Sequence, residues 1–259
     1  MRMLSRRAFA QLGGTAAFAG CAAPQVSTSP DGRLKARPGA ATVPVETRGT
    51  FELGEWPRPL AYVPERLDAS QPAPLVLLLH GAGQQAGDVL KRMQPAAKDR
   101  GVVILAPQAA RHTWDIIRDA SGSGGEPRFS DDAQRIDAAL AALFRKITID
   151  PARVAIAGFS DGASYALSLG PRNPGLFTHV MAFSPGGVAP FSDAACARVF
   201  ISHGRKDPIL PFAGAAQSIV PGFRSGGFDV RFEPFDGVHA FRDEEIGRAS
   251  CRERVFVGV

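Results

Sequence analysis

The sequence predicts an α/β fold in which a mostly parallel β-sheet carries helices on both faces. The first observation is that apolar runs alternate with segments of helical periodicity from about residue 49 to residue 244. The second is that runs such as PLVLLLH (74–80) are continuously apolar, which is typical of strands buried on both faces. No repeat or break in composition divides this stretch, so we expect a single domain over 49–244.

The strands can be assigned one by one along the chain. Two short runs, GTFELGEW and RPLAYVPE, predict an antiparallel start to the sheet. The strands expected after them are PLVLLLH, GVVILAP, RVAIAGF, THVMAFS, RVFISH and FDVRFEPF. Because helical segments separate several of these runs, parallel crossover connections are expected. In such sheets, functional residues gather at the carboxyl ends of the strands.

Three helices are predicted from spacing and capping residues. Residues 86–99 can form the first, and DGASYALSLG forms a short one that ends at a glycine. In SDDAQRIDAALAALFRKI, Ser130 is a candidate N-cap, and one face carries Ile136, Leu140, Leu143 and Phe144. Residues 111–130, which contain SGSGGEP, are expected to form a long flexible loop that can shape specificity.

The formal net charge of +5 is carried by the two ends of the chain. Residues 1–20 contain three arginines and no acid, and residues 246–259 contain three arginines and one acid. The body between them is therefore neutral. A neutral body gives no reason to expect a nucleic-acid partner.

The first twenty residues have the pattern of a bacterial export signal, with a positive start, a weakly apolar stretch and small residues. SRRAF (5–9) resembles a twin-arginine signal, and FAGC (18–21) resembles a lipobox. We therefore expect an exported protein, facing the periplasm or cell exterior, whose only membrane contact is lipidated Cys21. An ordinary secretory signal and a chance cysteine are the alternatives. Residues 21–48, poor in large apolar side chains, are expected to form a flexible tether.

The C-terminal segment has an unusual sequence. EIGRASCRERV (245–255) resembles the translation of a sequencing adapter, so residues 245–259 are expected to be non-native. A genuine basic helix is the alternative. If the tail is non-native, Cys251 is too, and Cys196 stands alone in the body. No disulfide framework and no zinc-ligand spacing are then expected.

The stretch GFSDG (158–162) is the strongest chemical signal in the sequence. It matches G-x-S-x-G between a predicted buried strand and a predicted helix. In that context the turn is so tight that Ser160 adopts a strained backbone, and glycine is required on either side. A chance match in a chain with 28 glycines is the alternative, and the strand–helix context argues against it.

A serine nucleophile needs a base and an orienting acid. Of five histidines, His239 follows the last predicted strand, whereas His80 and His203 are expected to be structural. Asp207 lies just beyond the strand RVFISH and is the favoured acid; Asp236 is a weaker rival. The remaining part is a pair of backbone N–H donors for the substrate oxyanion. Ala82, in the HGAG loop, and Asp161 are the candidates.

LLLHGAG, GFSDGAS, HGRKDPILP and GVHAF together resemble the alpha/beta-hydrolase superfamily over residues 49–244. The resemblance is closest to its phospholipase/carboxylesterase and polyhydroxybutyrate-depolymerase or feruloyl-esterase-like groups. It implies the order Ser160, Asp207, His239 for nucleophile, acid and base. RHTWDI also resembles a segment bordering the acyl pocket of such esterases, which implies that Trp114 lines the site.

These features predict a serine hydrolase that cleaves small or polymeric carboxylic esters through an acyl-enzyme, without metal or cofactor. A peptidase or thioesterase using the same triad is one alternative. A catalytically silent, membrane-anchored binding domain is another. The sequence departs from the resemblance at its end, where the final helix of the fold is expected to be missing.

Overall fold

The computed structural model describes most of the chain: residues 31–43, 46–54, 58–122, 128–190, 197–244 and 246. The predicted export signal, with Cys21, lies outside the described residues. Export and lipidation therefore stay predictions. Within the described ranges, no helix is long and apolar enough to cross a membrane.

The described residues form one eight-stranded sheet in the order β1-β2-β4-β3-β5-β6-β7-β8. The strands are β1 (Gly49–Glu52), β2 (Leu60–Val63), β3 (Ala73–Leu79), β4 (Val103–Ala106), β5 (Ile149–Phe159), β6 (His179–Phe183), β7 (Arg198–Gly204) and β8 (Asp229–Phe235). β1–β2 and β2–β4 pair antiparallel, and every other pair is parallel. The predicted α/β architecture is confirmed, with its antiparallel start.

Helices fill the connections. They are α1 (Ala86–Arg100), α2 (Asp115–Gly122), α3 (Asp131–Lys146), α4 (Asp161–Leu169), and a segment made of α5 (Phe212–Gly214), a π-helical turn (Ala215–Ile219) and α6 (Val220–Ser225). α2 corrects the expectation of a flexible loop over 111–130. Trp114 and Ile116 are buried there, so the segment has an apolar face that its glycine-rich end obscured in the sequence.

The sheet has a hydrophobic core on each face, as the alternating side chains of β3 show. Leu75, Leu77 and Leu79 pack into one cluster together with apolar residues of α3 and α4. Val76 and Leu78 point the other way, toward α1. Phe241 and Ile246 belong to this second cluster, and the backbone at 243, 244 and 246 is helical. The remaining residues of the suspected tail lie outside the described part, so the missing final helix stays a prediction.

Residues 31–43 lie along the body of the domain, which corrects the expected tether of 21–48. Leu34 is buried, and its N–H donates to Asn173 Oδ1 at 2.7 Å. The N–H groups of Lys35 and Ala36 both donate to Asp137 Oδ1 at 2.8 Å. Side-chain acceptors therefore hold a segment that has little apolar surface of its own. The domain extends at least to residue 31.

Candidate active site

Four loops meet at the carboxyl edge of the parallel strands. The loop after β3 carries HGAG (80–83), β5 leads directly to Ser160, β7 leads to Asp207, and β8 leads to His239. Because neighbouring parallel strands end at the same edge, side chains distant in sequence are brought together there.

Ser160 stands between the end of β5 and the start of α4 in a strained conformation. Its φ is 56° and its ψ is −119°, a region that L-residues rarely adopt. Its N–H donates to Phe183 O at 2.9 Å, which ties the turn to the end of β6. The side chain is nearly buried, with 9% exposed. These features are those expected of a nucleophile turn.

The flanking glycines are required by backbone contacts. A Cβ on Gly158 would lie 2.2 Å from Gly162 O, and one on Gly162 would lie 2.3 Å from Leu79 O. Both distances are far below van der Waals contact, and backbone atoms cannot move aside as a side chain can. The turn therefore excludes any residue but glycine two positions either side of Ser160.

Asp207 and His239 are hydrogen-bonded to each other. His239 Nδ1 lies 2.6 Å from Asp207 Oδ2. With Nδ1 engaged, Nε2 is the nitrogen left to exchange a proton with a substrate or nucleophile. The rival acid, Asp236, is exposed and instead lies 2.8 Å from Lys206 Nζ.

The Asp207 carboxylate is held by further donors. Burial raises its pKa, but hydrogen bonds from the Leu210 N–H, His239 and the Ile209 N–H outweigh burial, so the pKa is lowered. A second buried histidine, His203, places Nε2 2.8 Å from Leu210 O and 3.2 Å from the same Asp207 oxygen. Asp207 is thus kept ionised, as an acid that orients an imidazole must be.

The imidazole of His239 reaches the nucleophile turn by packing on Phe159. The two ring centroids are 4.8 Å apart, and Phe159 immediately precedes Ser160. Among the described residues, no hydrogen bond joins the Ser160 hydroxyl to His239. Such bonds are often long before substrate binds and shorten in the complex. The structure therefore joins Asp207 and His239 directly and places the His239 ring against Phe159, the residue before Ser160.

The two candidate oxyanion donors belong to different elements, the HGAG loop and the start of α4. Asp161 is the first residue of α4, so its N–H has no acceptor within the helix. Ala82 lies between Gly81, whose N–H donates to Gln84 Oε1, and Gly83, whose N–H donates to His112 O. The Gly81 Cα also lies against the Ser160 side chain, since a Cβ there would be 3.3 Å from Ser160 Cβ.

His80 braces the HGAG loop, as expected. Its Nε2 accepts from the Ala109 N–H at 3.0 Å, so Nδ1 carries the proton and donates to Gly81 O at 2.8 Å. Burial lowers the pKa of His80 and outweighs the bond to Gly81. The ring is therefore a neutral structural support rather than a base.

Trp114 lies beneath the site rather than at its surface, which corrects the expectation that it contacts substrate. The ring has no exposed area, and its N–H donates to His80 O at 2.8 Å. It packs between the rings of His80 and Tyr165, at centroid distances of 4.9 and 5.1 Å. Trp114 thus fixes the position of the HGAG loop from below.

Sequence reasoning missed several residues that support this edge. Ser184, at the end of β6, has a φ of 54°, and its hydroxyl donates to Ala240 O beside His239. Thr113 donates to the Asp161 carboxylate at 2.6 Å. The hydroxyl of Ser130, expected to cap α3, donates to Asp115 instead. No local pattern reveals these contacts, because each partner is distant in sequence or belongs to another element.

Within the described ranges, no group of three or more His, Cys, Asp or Glu residues is placed to hold a metal ion.

Comparison with known proteins identifies the family. The family model described as "Putative esterase" matches residues 52–203, which include HGAG and Ser160 but not Asp207 or His239. "Putative esterase NocK" of Nocardia uniformis subsp. tsuyamanensis is 26% identical over 231 residues, spanning 82% of this chain and 67% of the relative.

Solved structures agree on the fold. Esterase PE8 superposes with a TM-score of 0.58 and 26% identity, over 76% of this chain and 99% of its own. The phospholipase/carboxylesterase from Dyadobacter fermentans DSM 18053 gives a TM-score of 0.56 at 19% identity, over 80% of this chain and 99% of its own. The chain therefore belongs to the esterase family and is an ester hydrolase built on the alpha/beta-hydrolase fold.

Proposed function

We propose that this protein cleaves carboxylic esters through a covalent acyl-enzyme on Ser160. The single observation that carries the proposal is the geometry of three groups. Ser160 is held in a strained turn, the His239 ring packs on the preceding Phe159, and His239 Nδ1 is 2.6 Å from Asp207. A strained serine beside an oriented imidazole is the arrangement that nucleophilic acyl transfer requires.

In the proposed reaction, His239 Nε2 takes the Ser160 proton as Oγ attacks the ester carbonyl carbon. Asp207 stabilises the imidazolium, while the N–H groups of Ala82 and Asp161 donate to the developing oxyanion. Collapse of the tetrahedral intermediate expels the alcohol, which receives the proton from His239. Water, deprotonated by the same imidazole, then attacks the acyl carbon, and His239 returns that proton to Ser160 Oγ as the carboxylic acid is released.

A fluorophosphonate probe tests this proposal directly. The wild-type protein should acquire one adduct on Ser160, found by mass spectrometry of the peptide. Ser160→Ala should not react and should lose at least about four orders of magnitude in p-nitrophenyl butyrate turnover, because removing a triad nucleophile removes covalent catalysis. The control is Ser225→Ala, whose hydroxyl bonds only the nearby Gly222 O. A folded wild-type protein that forms no adduct would contradict the proposal.

A panel of substrates separates ester cleavage from its alternatives. Short p-nitrophenyl esters, the matching thioesters and peptide amides would be compared by kcat/KM. The kcat/KM for esters should exceed that for amides by several orders of magnitude. Amide cleavage at a comparable rate would instead identify a peptidase, and a faster thioester reaction would identify a thioesterase. A protein that binds these compounds without turnover would be the silent binding domain.

A further inference from the structure

We propose that residues 112–114 form a clamp that holds the two oxyanion donors at a fixed separation, with Thr113 as its positioning residue. The proposal rests on the function proposed above. Three consecutive residues each contact a different part of the site. Gly83 N–H donates to His112 O at 2.8 Å, Thr113 Oγ1 donates to Asp161 Oδ2 at 2.6 Å, and Trp114 Nε1 donates to His80 O at 2.8 Å.

The clamp connects the HGAG loop and the start of α4 beyond Leu79 and Gly158, the last residues at which their strands are paired. Ala82 lies in the loop after β3, between the two residues that the clamp binds, His80 and Gly83. Asp161 begins α4, which follows β5. A change in the gap between the loop and the helix end would move one donor relative to the other. The Thr113–Asp161 hydrogen bond spans this gap through side chains.

The clamp itself is anchored from below by two buried carboxyl groups. Asp132 accepts from the Ala110 N–H and the Asp115 N–H, on both sides of residues 112–114. Asp115 in turn accepts from the N–H groups of Ile116, Ser130 and Asp132. The ends of the clamp are therefore tied to the start of α3, so residues 112–114 cannot shift without breaking several buried hydrogen bonds.

The expected effect on kcat and KM follows from the state in which the oxyanion is present. The donors contact the negative charge of the tetrahedral state more strongly than the neutral carbonyl of bound ester, so misplacing them lowers kcat and leaves KM nearly unchanged. Removing one such donor costs about a hundred- to thousand-fold. Loosening the clamp displaces a donor without removing it, so a smaller loss, about tenfold, is expected.

The test compares Thr113→Val, which keeps the side-chain shape without the hydroxyl, with Thr113→Ser, which restores a hydroxyl. Thr113→Val should lower kcat about tenfold at constant KM, and Thr113→Ser should recover most of it. The matched control is Thr178→Val. Thr178 likewise donates its hydroxyl, in this case to the backbone oxygen of Val154 at 3.0 Å, at the amino end of β6. A control that loses as much kcat, or a serine variant that recovers none, would overturn the clamp.

A measurement that does not depend on turnover tests the clamp separately from the proposed reaction. Amide hydrogen exchange at Gly83 should accelerate in Thr113→Val, because its acceptor His112 O is the neighbouring link of the clamp, and it should stay unchanged in Thr178→Val. Equal exchange in wild type and Thr113→Val would refute the clamp even in an active enzyme. Absence of wild-type turnover with accelerated exchange would refute the proposed function and leave the clamp supported.

Discussion

Two serines at the ends of neighbouring strands share a strained backbone and differ in what their hydroxyls do. Ser160 follows β5 with a φ of 56°, and Ser184 follows β6 with a φ of 54°. The Ser184 hydroxyl donates to Ala240 O and its side chain is fully buried. Among the described residues, the Ser160 hydroxyl has no hydrogen-bond partner. Strain alone therefore does not mark a nucleophile; the role proposed for Ser160 rests also on its unengaged hydroxyl and on the His239 ring packed against Phe159.

The residues around the two serines explain how each strain is maintained. Two positions before Ser160 stands Gly158, whereas Ala182 occupies the same place before Ser184. Two positions after, both serines are followed by a glycine. A Cβ on Gly162 would meet backbone, but one on Gly186 would meet the Leu210 side chain at 2.7 Å. Main-chain atoms therefore lie against Gly162 in the Ser160 turn, whereas a side chain that can move lies against Gly186 in the Ser184 turn.

The largest effect is expected from adding a methyl group beside each serine. Gly162→Ala should destabilise the domain by at least about 3 kcal/mol, because the new atom overlaps the end of β3. Gly186→Ala should cost about 1 kcal/mol, since Leu210 can change rotamer. Urea unfolding of both variants measures this. Equal losses would show that the two turns are enclosed alike and would break the comparison.

The pH dependence of stability should distinguish the surroundings of Ser160 from those of Ser184. The hydrogen bonds beneath the Ser160 turn end at two ionisable groups, Asp115 and Asp132. Burial, and to a smaller extent the nearby Asp115, raises the pKa of Asp132 from 3.8 to about 6. Since the folded state favours the protonated carboxyl, its contribution is greatest below pH 3.8 and is lost as the pH rises through 6.

Asp132→Asn removes this titration. Between about pH 4 and pH 6, the free energy of unfolding of the wild type should therefore fall relative to Asp132→Asn by about 3 kcal/mol. Urea unfolding across this pH range measures the difference. Two stability curves that run parallel would show that Asp132 does not titrate there.

The smallest effects are expected at Ser184 itself. Ser184→Ala should cost about 1 kcal/mol through the lost bond to Ala240 O and lower turnover a few-fold, because the His239 loop loses an anchor. Ser184→Gly loses the same bond but relieves the positive φ, so its stability should exceed that of Ser184→Ala by about 1 kcal/mol. Melting temperature and kcat separate the two contributions. Full turnover in both variants would deny Ser184 any part in placing His239.

The strands and the strained turn at Ser160 could be predicted from sequence because both are local patterns. Continuous apolar runs identify buried strands, and G-x-S-x-G records backbone contacts that only glycine permits. The sequence favours His239 over His203 because His239 follows the last strand. Thr113, Ser184 and the Asp115–Asp132 pair could not be found this way, since their partners lie on other elements. The attachment of residues 31–43 cannot be found this way either, because its acceptors, Asp137 and Asn173, lie 102 and 139 residues away in the chain.

If the predicted lipidation of Cys21 occurs, the attachment of residues 31–43 would limit how far the enzyme could stand from a membrane. If Cys21 carries the predicted lipid, only residues 22–30 lie between the anchor and the first described residue. Nine residues span at most about 30 Å when fully extended. An enzyme attached by so short a segment would work close to the lipid surface. It would act on esters that come within a few nanometres of that surface.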